Sequence, residues 1–238
     1  NDSAWMRDNG PIFVIEAGTL RLQNWQFDAW GGRFGGDIPH ELDDLVPVRV
    51  AEYLDMPVDK VHIVHERGNL EFNGAGAVIL NWSALGDPER NPGYTKDQAE
   101  RDLKHWFGVS KVVFLEGVPE RDRTNGHVDG IARFIDTNTV VVGQCTSESL
   151  CKPDDGKTGS LLDTAARVIR EAGFSVIREP VEGIAQFAGL QFDTNYLNWL
   201  VGNGSLITAG YGSENLDLRA KARLQGYFPD RDIYVVPM

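Results

Sequence analysis

The chain has 238 residues, and its 42% hydrophobic content is enough to bury a core, which excludes an intrinsically disordered protein. Its 35 acidic and 23 basic residues give a formal charge of −12. This charge argues against a nucleic-acid groove and suits either a cationic small-molecule ligand or solubility alone. No apolar run approaches the roughly 20 residues of a membrane-spanning helix, so we predict no membrane contact.

The first predicted elements are two strands, a helix and a strand. Ile12–Ile15 and Leu20–Phe27 are apolar strands, and Pro47–Leu54 has the periodicity of a short amphipathic helix. Val61–His65 is a strand that ends at Glu66. This order defines the first predicted ββαβ unit.

The second unit is defined by its helix, Thr95–Phe107, because Thr95 is a suitable N-cap and Gly108 follows the last helical residue. Two further units repeat the same order of elements. The strands of these three units are Gly68–Phe72, Ala77–Asn81 and Lys111–Leu115, then Ile131–Ile135, Thr139–Gln144 and Phe174–Arg178, then Tyr196–Val201, Ser205–Thr208 and Asp232–Val236; the last two helices are Gly159–Ala172 and Asn215–Gln225.

Four ββαβ units at intervals of roughly 50 to 65 residues predict a propeller-like α/β repeat fold. A doubly wound sheet is the alternative, but it expects one alternation of strand and helix rather than repeated hairpins. We find no linker between domains and predict a single domain over residues 1–238. Because a ring needs a definite number of units, we expect this domain to be incomplete at both ends.

The N-terminal motif combines an indole, a guanidinium and a carboxylate. Trp5 and Asp8 together suit a bound cation, since the indole ring offers cation–π attraction and the carboxylate pairs with a planar guanidinium. The alternative is a local salt bridge between Arg7 and Asp8, with Trp5 packed in the core.

A second motif places an imidazole and a carboxylate two residues apart. If the segment is extended, His127 and Asp129 point the same way, and Gly126 leaves room for close backbone approach or an unusual φ. Such a pair suits proton transfer near neutral pH. A polar pair at the end of a strand is the alternative.

Two further polar residues lie near predicted strand ends. Glu66 opens a turn rich in Gly and Asn, where residues of α/β folds often project into a site. Asn198 lies on the predicted strand Tyr196–Val201, where its amide either contacts a substrate or satisfies neighbouring backbone groups.

Other site chemistries lack their sequence patterns. The five histidines are scattered, with no His-Glu-x-x-His and no Cys-x-x-Cys, so we predict no metal. A serine nucleophile lacks Gly-x-Ser-x-Gly. Cys145 and Cys151 show no sign of sharing a pocket with His127, and two cysteines cannot make a disulfide framework. Without a signal-like start, the reducing cytoplasm is the simplest compartment.

Taken together, four ordered motifs resemble the agmatine deiminase and bacterial-type peptidyl-arginine deiminase family. They are Trp5-x-Arg7-Asp8-x-Gly10-Pro11, Glu66-x-Gly68-Asn69, Gly126-His127-x-Asp129 and Tyr196-x-Asn198. The resemblance implies the pentein fold, a five-bladed α/β propeller, of which the four predicted units fit four blades.

The resemblance also implies the site residues. Asp8 and Asp129 correspond to the carboxylates that hold the guanidinium, His127 to the general acid/base and Glu66 to the acidic partner of the site. Trp5 and Asn198 correspond to residues of the substrate pocket. The implied chemistry is attack by a Cys thiolate on the guanidinium carbon, loss of ammonia, and hydrolysis of the thiouronium intermediate, without a cofactor.

By this resemblance the substrate is a small cationic guanidine, in the first place agmatine, which gives N-carbamoylputrescine and ammonia. Free or peptidyl arginine is the close alternative, and a homo-oligomer is left open. Two hypotheses belong to other classes: a non-catalytic pentein binding protein, such as a ribosome anti-association factor, and a metal-dependent hydrolase.

Two departures from the family pattern bear on activity. The family usually has Glu-Gly-Gly where this chain has Glu66-Arg67-Gly68, and Arg67 either crowds the turn, pairs with Glu71 or points outward. The family's nucleophilic cysteine belongs to a Gly-x-His-Cys segment that follows the fourth unit and is not among residues 1–238. We therefore expect these residues alone not to be a competent deiminase, and the parent chain to be one.

Overall fold

The computed structural model describes residues 2–33, 38–119, 122, 124–152, 160–187 and 189–237. The chain divides into two compact units, residues 1–128 and 129–238, and each is described by itself. Within these ranges no helix combines the length and apolar character needed to cross a bilayer.

Residues 1–128 contain two three-stranded sheets with the predicted ββαβ topology. In each sheet the first two strands are antiparallel, and the third is parallel to the second. Parallel neighbours need a crossover connection, which the helices supply. The elements are α1 (Met6–Asn9), β1 (Ile12–Glu16), β2 (Thr19–Gln26), α2 (Glu41–Asp44), α3 (Val46–Leu54), β3 (Val58–Val64), β4 (Glu71–Phe72), β5 (Ala77–Asn81), α4 (Trp82–Leu85), α5 (Lys96–Phe107) and β6 (Lys111–Leu115).

The helix α5 begins and ends where its sequence predicts. The Thr95 side chain accepts a hydrogen bond from the backbone N–H of Gln98, and the Gln98 side chain accepts one from the Thr95 backbone N–H. Gly108 closes the helix with φ of +64°. One buried hydrophobic cluster contains Leu103 of α5, Trp25 of β2 and Leu80 of β5, so one core joins the helix to both sheets.

The strand predicted at Gly68–Phe72 is wrong over its first half. Arg67–Asn69 forms a single 3₁₀ turn, and β4 contains only Glu71–Phe72. The Asn69 side chain accepts from the Asn81 backbone N–H at 2.8 Å and donates to the Asn81 carbonyl at 2.9 Å. A side-chain amide thus replaces the backbone pairing that a longer strand would have given to β5.

Residues 129–238 repeat the ββαβ topology twice, as predicted, with one additional hairpin, β10–β11. The predicted helix start at Gly159 lies outside the described residues, and Ser160 caps the observed helix. The elements are β7 (Ala132–Phe134), β8 (Thr139–Cys145), α6 (Leu161–Glu171), β9 (Ser175–Val181), β10 (Ile184–Phe187), β11 (Leu190–Asp193), β12 (Leu200–Gly202), β13 (Ser205–Gly210), α7 (Glu214–Tyr227) and β14 (Asp232–Pro237).

The strand predicted at Tyr196–Val201 is also wrong over its first half. The backbone turns before β12 begins at Leu200, and both Leu197 and Trp199 are fully buried. The buried Arg133 guanidinium donates to the carbonyls of Leu197 and Trp199, at 3.0 and 2.8 Å. These carbonyls are therefore satisfied without a neighbouring strand.

Candidate active site

An imidazole lies between two buried carboxylates in residues 1–128. His127 Nε2 is 3.3 Å from Glu66 Oε2, and His127 Nδ1 is 3.5 Å from Asp8 Oδ1. Asp8 and His127 are 4% and 5% exposed, and Glu66 is fully buried. Three of the residues predicted from sequence, from distant parts of the chain, are thus brought together.

This arrangement suits proton transfer by a fixed ring. A neutral imidazole has an N–H on one nitrogen only, whereas an imidazolium has an N–H on each nitrogen and attracts both carboxylates. Burial opposes ionisation of Glu66, but the His127 hydrogen bond and the Arg90 charge outweigh burial and lower the Glu66 pKa to about 2. Glu66 is therefore a carboxylate at neutral pH and favours a proton on the facing nitrogen.

The Asp8 side chain is oriented by two N–H donors. Trp30 Nε1 donates to Asp8 Oδ2 at 2.9 Å, and the Gly68 backbone N–H donates to Asp8 Oδ1 at 3.2 Å. The Trp5 ring contacts Trp30 edge-to-face, with centroids 6.4 Å apart, and is 58% exposed rather than packed in a core. An exposed indole therefore lies close to the residue that fixes the carboxylate, and a role for Trp5 in cation binding stays a prediction.

Glu66 is held on its other side by a guanidinium from outside the four sequence motifs. Arg90 Nε donates to Glu66 Oε1 at 2.8 Å, and the two terminal nitrogens of Arg90 donate to Asp87 Oδ2 and the Thr124 carbonyl. All three charged side chains are completely buried. The signal for Arg90 in the sequence is the concentration of charge in the polar turn at residues 86–92, directly after α4.

From the sequence we expect Arg67 to crowd the turn, to pair with Glu71 or to point outward. The structure shows a fourth arrangement. The Arg67 guanidinium donates to the backbone carbonyls of Asp8 and Trp25, each at 2.9 Å, and to the His65 carbonyl at 3.4 Å. Burial lowers its pKa to about 10, although the Glu66 charge opposes the shift. Arg67 therefore ties the turn that carries Asp8 to the end of β2.

Gly126 has both an unusual φ and a close approach to neighbouring atoms, the two properties that the sequence offered for it. Its φ is +94°, and a Cβ at this position would lie 2.6 Å from Asn81 Nδ2 and 2.8 Å from the Gly117 carbonyl oxygen. The Asn81 side chain itself donates to that carbonyl at 2.7 Å. The loop that delivers His127 can therefore pack this closely only with glycine.

We expect Gly126→Ala to destabilise residues 1–128 by about 2–3 kcal/mol, because strain at positive φ adds to two contacts shorter than any real Cβ makes. Urea unfolding measures the loss. Gly74→Ala is the matched control, since Gly74 has φ of +69° but nothing within 4 Å of the position that an added methyl group would occupy. Equal losses in the two variants would contradict a contribution from the Asn81 contact.

The model of the Porphyromonas-type peptidyl-arginine deiminase family matches residues 1–238. The chain belongs to this family. An agmatine deiminase of Pseudomonas savastanoi is 30% identical over 259 residues, a match that covers 100% of this chain and 70% of that protein.

Two solved agmatine deiminases resemble this family member in structure. A cysteine-to-serine variant of the C. jejuni enzyme with substrate bound has 27% sequence identity and a TM-score of 0.82, over 98% of this chain and 67% of that one. The Enterococcus faecalis enzyme has 28% identity and a TM-score of 0.79, over 98% and 69%. These likenesses confirm the predicted fold class, the pentein α/β fold.

Asp129 and Asn198 lie in residues 129–238, and their local geometry differs from the prediction. Asp129 belongs to a 3₁₀ turn, Val128–Gly130, so the argument that His127 and Asp129 share one face of an extended segment is wrong. The Asn195 side chain donates to the Gly130 carbonyl at 2.6 Å, and β7 begins only at Ala132. Asn198 is exposed and lies between the turn at residues 196–197 and β12. Roles for both residues in the family's chemistry stay predictions.

The two cysteines of this family member are bonded to each other. Cys145, the last residue of β8, and Cys151 form a disulfide with Cα atoms 5.5 Å apart. Neither sulfur is a thiol in this state. The position of the nucleophile stays a prediction. Among the described residues, no cluster of three or more His, Cys, Asp and Glu side chains is arranged to hold a metal ion.

A second buried histidine lies directly beside the site. His65 is 1% exposed, and its Nε2 is 3.2 Å from Asn69 Nδ2, which as an amide donates the hydrogen bond. Burial lowers the His65 pKa from 6.5 to about 3, against the opposing charge of Glu66. His65 is therefore neutral at physiological pH.

We expect the free energy of unfolding to fall as the pH decreases from about 6.5 to about 3. In this window the unfolded chain binds a proton on His65 and the folded chain does not, so stability falls by up to about 1.4 kcal/mol per pH unit. Urea unfolding at several pH values measures the slope. His65→Gln should reduce this slope, whereas the control His105→Gln, at an exposed position of α5, should leave the slope unchanged. Equal slopes in the wild type and His65→Gln would contradict the assignment of the pH dependence to His65.

Proposed function

We propose that the protein is a deiminase that hydrolyses the guanidinium group of agmatine to N-carbamoylputrescine and ammonia. The observation that carries this proposal is the imidazole of His127 between the buried carboxylates of Asp8 and Glu66. Membership of a deiminase family and likeness to enzymes named agmatine deiminase support it.

In this proposal the carboxylates bind and orient the planar cation. Asp8, already oriented by Trp30 and Gly68, accepts hydrogen bonds from the substrate guanidinium, and Asp129 is the second carboxylate. The exposed indole of Trp5 adds cation–π attraction, and Asn198 contributes to the pocket.

His127 moves the protons of both half-reactions. When a Cys thiolate attacks the guanidinium carbon, a C–S bond forms, the C–N bond breaks, and His127 gives a proton to the departing ammonia. Water then attacks the thiouronium carbon and gives one proton to His127. The C–S bond of the tetrahedral intermediate breaks and its hydroxyl proton passes to solvent, which releases the ureido product and regenerates the thiolate. Glu66 stabilises the imidazolium that exists before the donation to ammonia and again after the proton transfer from water.

The nucleophilic cysteine is proposed to lie outside residues 1–238, because neither Cys145 nor Cys151 belongs to a Gly-x-His-Cys segment. Substrate bound to a cysteine-to-serine variant of the C. jejuni enzyme is the state expected when a nucleophilic thiol is removed. We therefore expect residues 1–238 alone to be inactive as a deiminase.

Three arginines, Arg7, Arg33 and Arg67, bear on the choice between agmatine and arginine, and the state of the last two supports agmatine. A site for arginine needs a cation for the α-carboxylate, which agmatine lacks. Arg33 is paired with Asp87 at 2.7 Å, and Arg67 is bonded to backbone carbonyls. The family's description as peptidyl-arginine deiminases keeps arginine or peptidyl-arginine as the alternative substrate.

A non-catalytic pentein protein is the alternative of another class. It is disfavoured because burying two carboxylates, an imidazole and a guanidinium together costs folding free energy that a binding surface does not require. A cytoplasmic location, the absence of nucleic-acid partners and a homo-oligomeric state are further predictions that accompany the proposal.

The decisive experiment measures ammonia released by the full-length protein from agmatine, arginine and a peptidyl-arginine substrate. We expect turnover of agmatine that is insensitive to chelators and abolished by thiol alkylation, and no turnover by residues 1–238. A full-length protein that turns over none of the three guanidines contradicts the proposal, and loss of activity on chelation supports a metal-dependent hydrolase instead.

A further inference from the structure

The guanidinium of Arg90 contacts both the carboxylate and the loop that supply the site. Its Nε donates to Glu66 Oε1 at 2.8 Å, while the other oxygen of Glu66 faces His127. One terminal nitrogen donates to the Thr124 carbonyl at 2.7 Å. Thr124 in turn accepts the backbone N–H of His127 on its hydroxyl oxygen at 3.2 Å.

The guanidinium is itself anchored from behind. Its remaining terminal nitrogen donates to Asp87 Oδ2 at 3.1 Å, and the same oxygen accepts from Asn125 Nδ2 at 2.8 Å. The Arg90 and Asp87 side chains are completely buried, so Arg90 has no exposed group with which to bind a ligand. Any effect of Arg90 on a substrate therefore passes through the residues it holds.

We propose that Arg90 is a positioning residue that sets the placement of Glu66 relative to His127 for the deiminase reaction. A guanidinium is rigid and planar, and its N–H donors point in fixed directions. Because Arg90 donates to both Glu66 and Thr124, it fixes the position of the Glu66 carboxylate relative to the loop that carries His127. This inference rests on the proposed function and adds to it a residue that does not contact the substrate.

Simple charge neutralisation is the competing explanation for Arg90. A lysine would also place a positive charge beside Glu66, but its compact ammonium does not reproduce the planar fork. Arg90→Lys therefore separates the two explanations. Arg33→Gln is the matched control, because the Arg33 side chain is 44% exposed and its guanidinium donates to the same Asp87 oxygen from two of its nitrogens.

The test measures kcat and KM for agmatine in the full-length wild type, Arg90→Gln, Arg90→Lys and Arg33→Gln. We expect Arg90→Gln to lower kcat at least about 10-fold, because a misplaced His127 loses part of the rate enhancement of a well-placed acid/base. KM should change less than about 3-fold. Arg90→Lys should recover part of the loss, and Arg33→Gln should stay within about 3-fold of the wild type. In ¹³C NMR titrations, the Glu66 carboxyl should show a higher pKa in Arg90→Gln than its value of about 2 in the wild type.

Several outcomes would overturn the inference. They are an unchanged kcat in Arg90→Gln, a fully wild-type kcat in Arg90→Lys, or equal losses in Arg90→Gln and Arg33→Gln. If Arg90→Gln does not fold, Arg90→Lys decides alone, since a reduced kcat supports positioning and a wild-type kcat refutes it. A wild type that turns over none of agmatine, arginine and the peptidyl-arginine substrate contradicts the proposed function itself, whereas an active wild type with unaffected Arg90 variants contradicts only the role of Arg90.

Discussion

Replacing His127 with glutamine is expected to lower the kcat of the full-length protein for agmatine by about 10²–10⁴-fold, the usual contribution of a positioned general acid/base. Glutamine keeps a polar group of similar reach between Asp8 and Glu66 but cannot carry a proton between ammonia and water. Steady-state ammonia release measures the change in kcat.

Substrate affinity separates lost proton transfer from a collapsed site. Asp8 keeps its bonds to Trp30 and Gly68 in the His127→Gln variant, so calorimetry should find agmatine affinity within about 10-fold of the wild type, since the charge-assisted contacts remain. His62→Gln, at an exposed position of β3, is the matched control and should retain full activity. A His127→Gln variant with wild-type kcat would remove His127 from the mechanism.

The repeat architecture could be predicted from sequence because its signals are local. Strand alternation, helical periodicity and the Thr95 capping box all act within a few residues, and β5, α5 and β6 follow the predicted bounds closely. The antiparallel hairpin followed by a parallel strand recurs in every predicted unit. Local rules therefore gave the topology of each unit.

The errors arise where a distant side chain replaces backbone pairing. Arg133 bonds the carbonyls of Leu197 and Trp199 across 64 and 66 residues, and no property of Tyr196–Val201 itself reveals that contact. The amide of Asn69 acts in the same way on Asn81. Hydrophobic periodicity predicts a strand in both places because it reflects only neighbouring residues. It carries no information on hydrogen bonds between backbone groups and side chains from other parts of the chain.

Only part of the candidate site could be predicted from the sequence. His127, Asp8 and Glu66 were found because their motifs resemble a known family, and the structure brings these three together. Arg90 was missed because a charged residue in a polar turn is normally solvated, and its burial follows only from the positions of Glu66 and Thr124. A buried ion pair leaves no periodic signal in the sequence.

Replacing Glu66 with glutamine is expected to reduce the free energy of unfolding by about 3 kcal/mol at neutral pH, the usual cost of removing one partner of a buried ion pair. The change leaves the buried Arg90 guanidinium with one carboxylate partner, Asp87, and removes the charge that faces His127. Urea unfolding measures the loss. Glu116→Gln is the matched control, because the Lys96–Glu116 pair lies on the surface, where such pairs contribute little.

The pH dependence of this difference tests whether the Glu66 charge is the cause. The folded-state pKa of Glu66 is about 2, below its ordinary value of 4.5, so the carboxylate contributes its full stabilisation above about pH 4.5 and loses it as the pH falls towards 2. The stability gap between wild type and Glu66→Gln should therefore be constant at neutral pH and narrow below about pH 4.5. A stability difference that stays constant down to the pH at which the protein unfolds would mean that glutamine disturbs packing. In that case the ionised carboxylate of Glu66 is not what holds Arg90 and His127 in place.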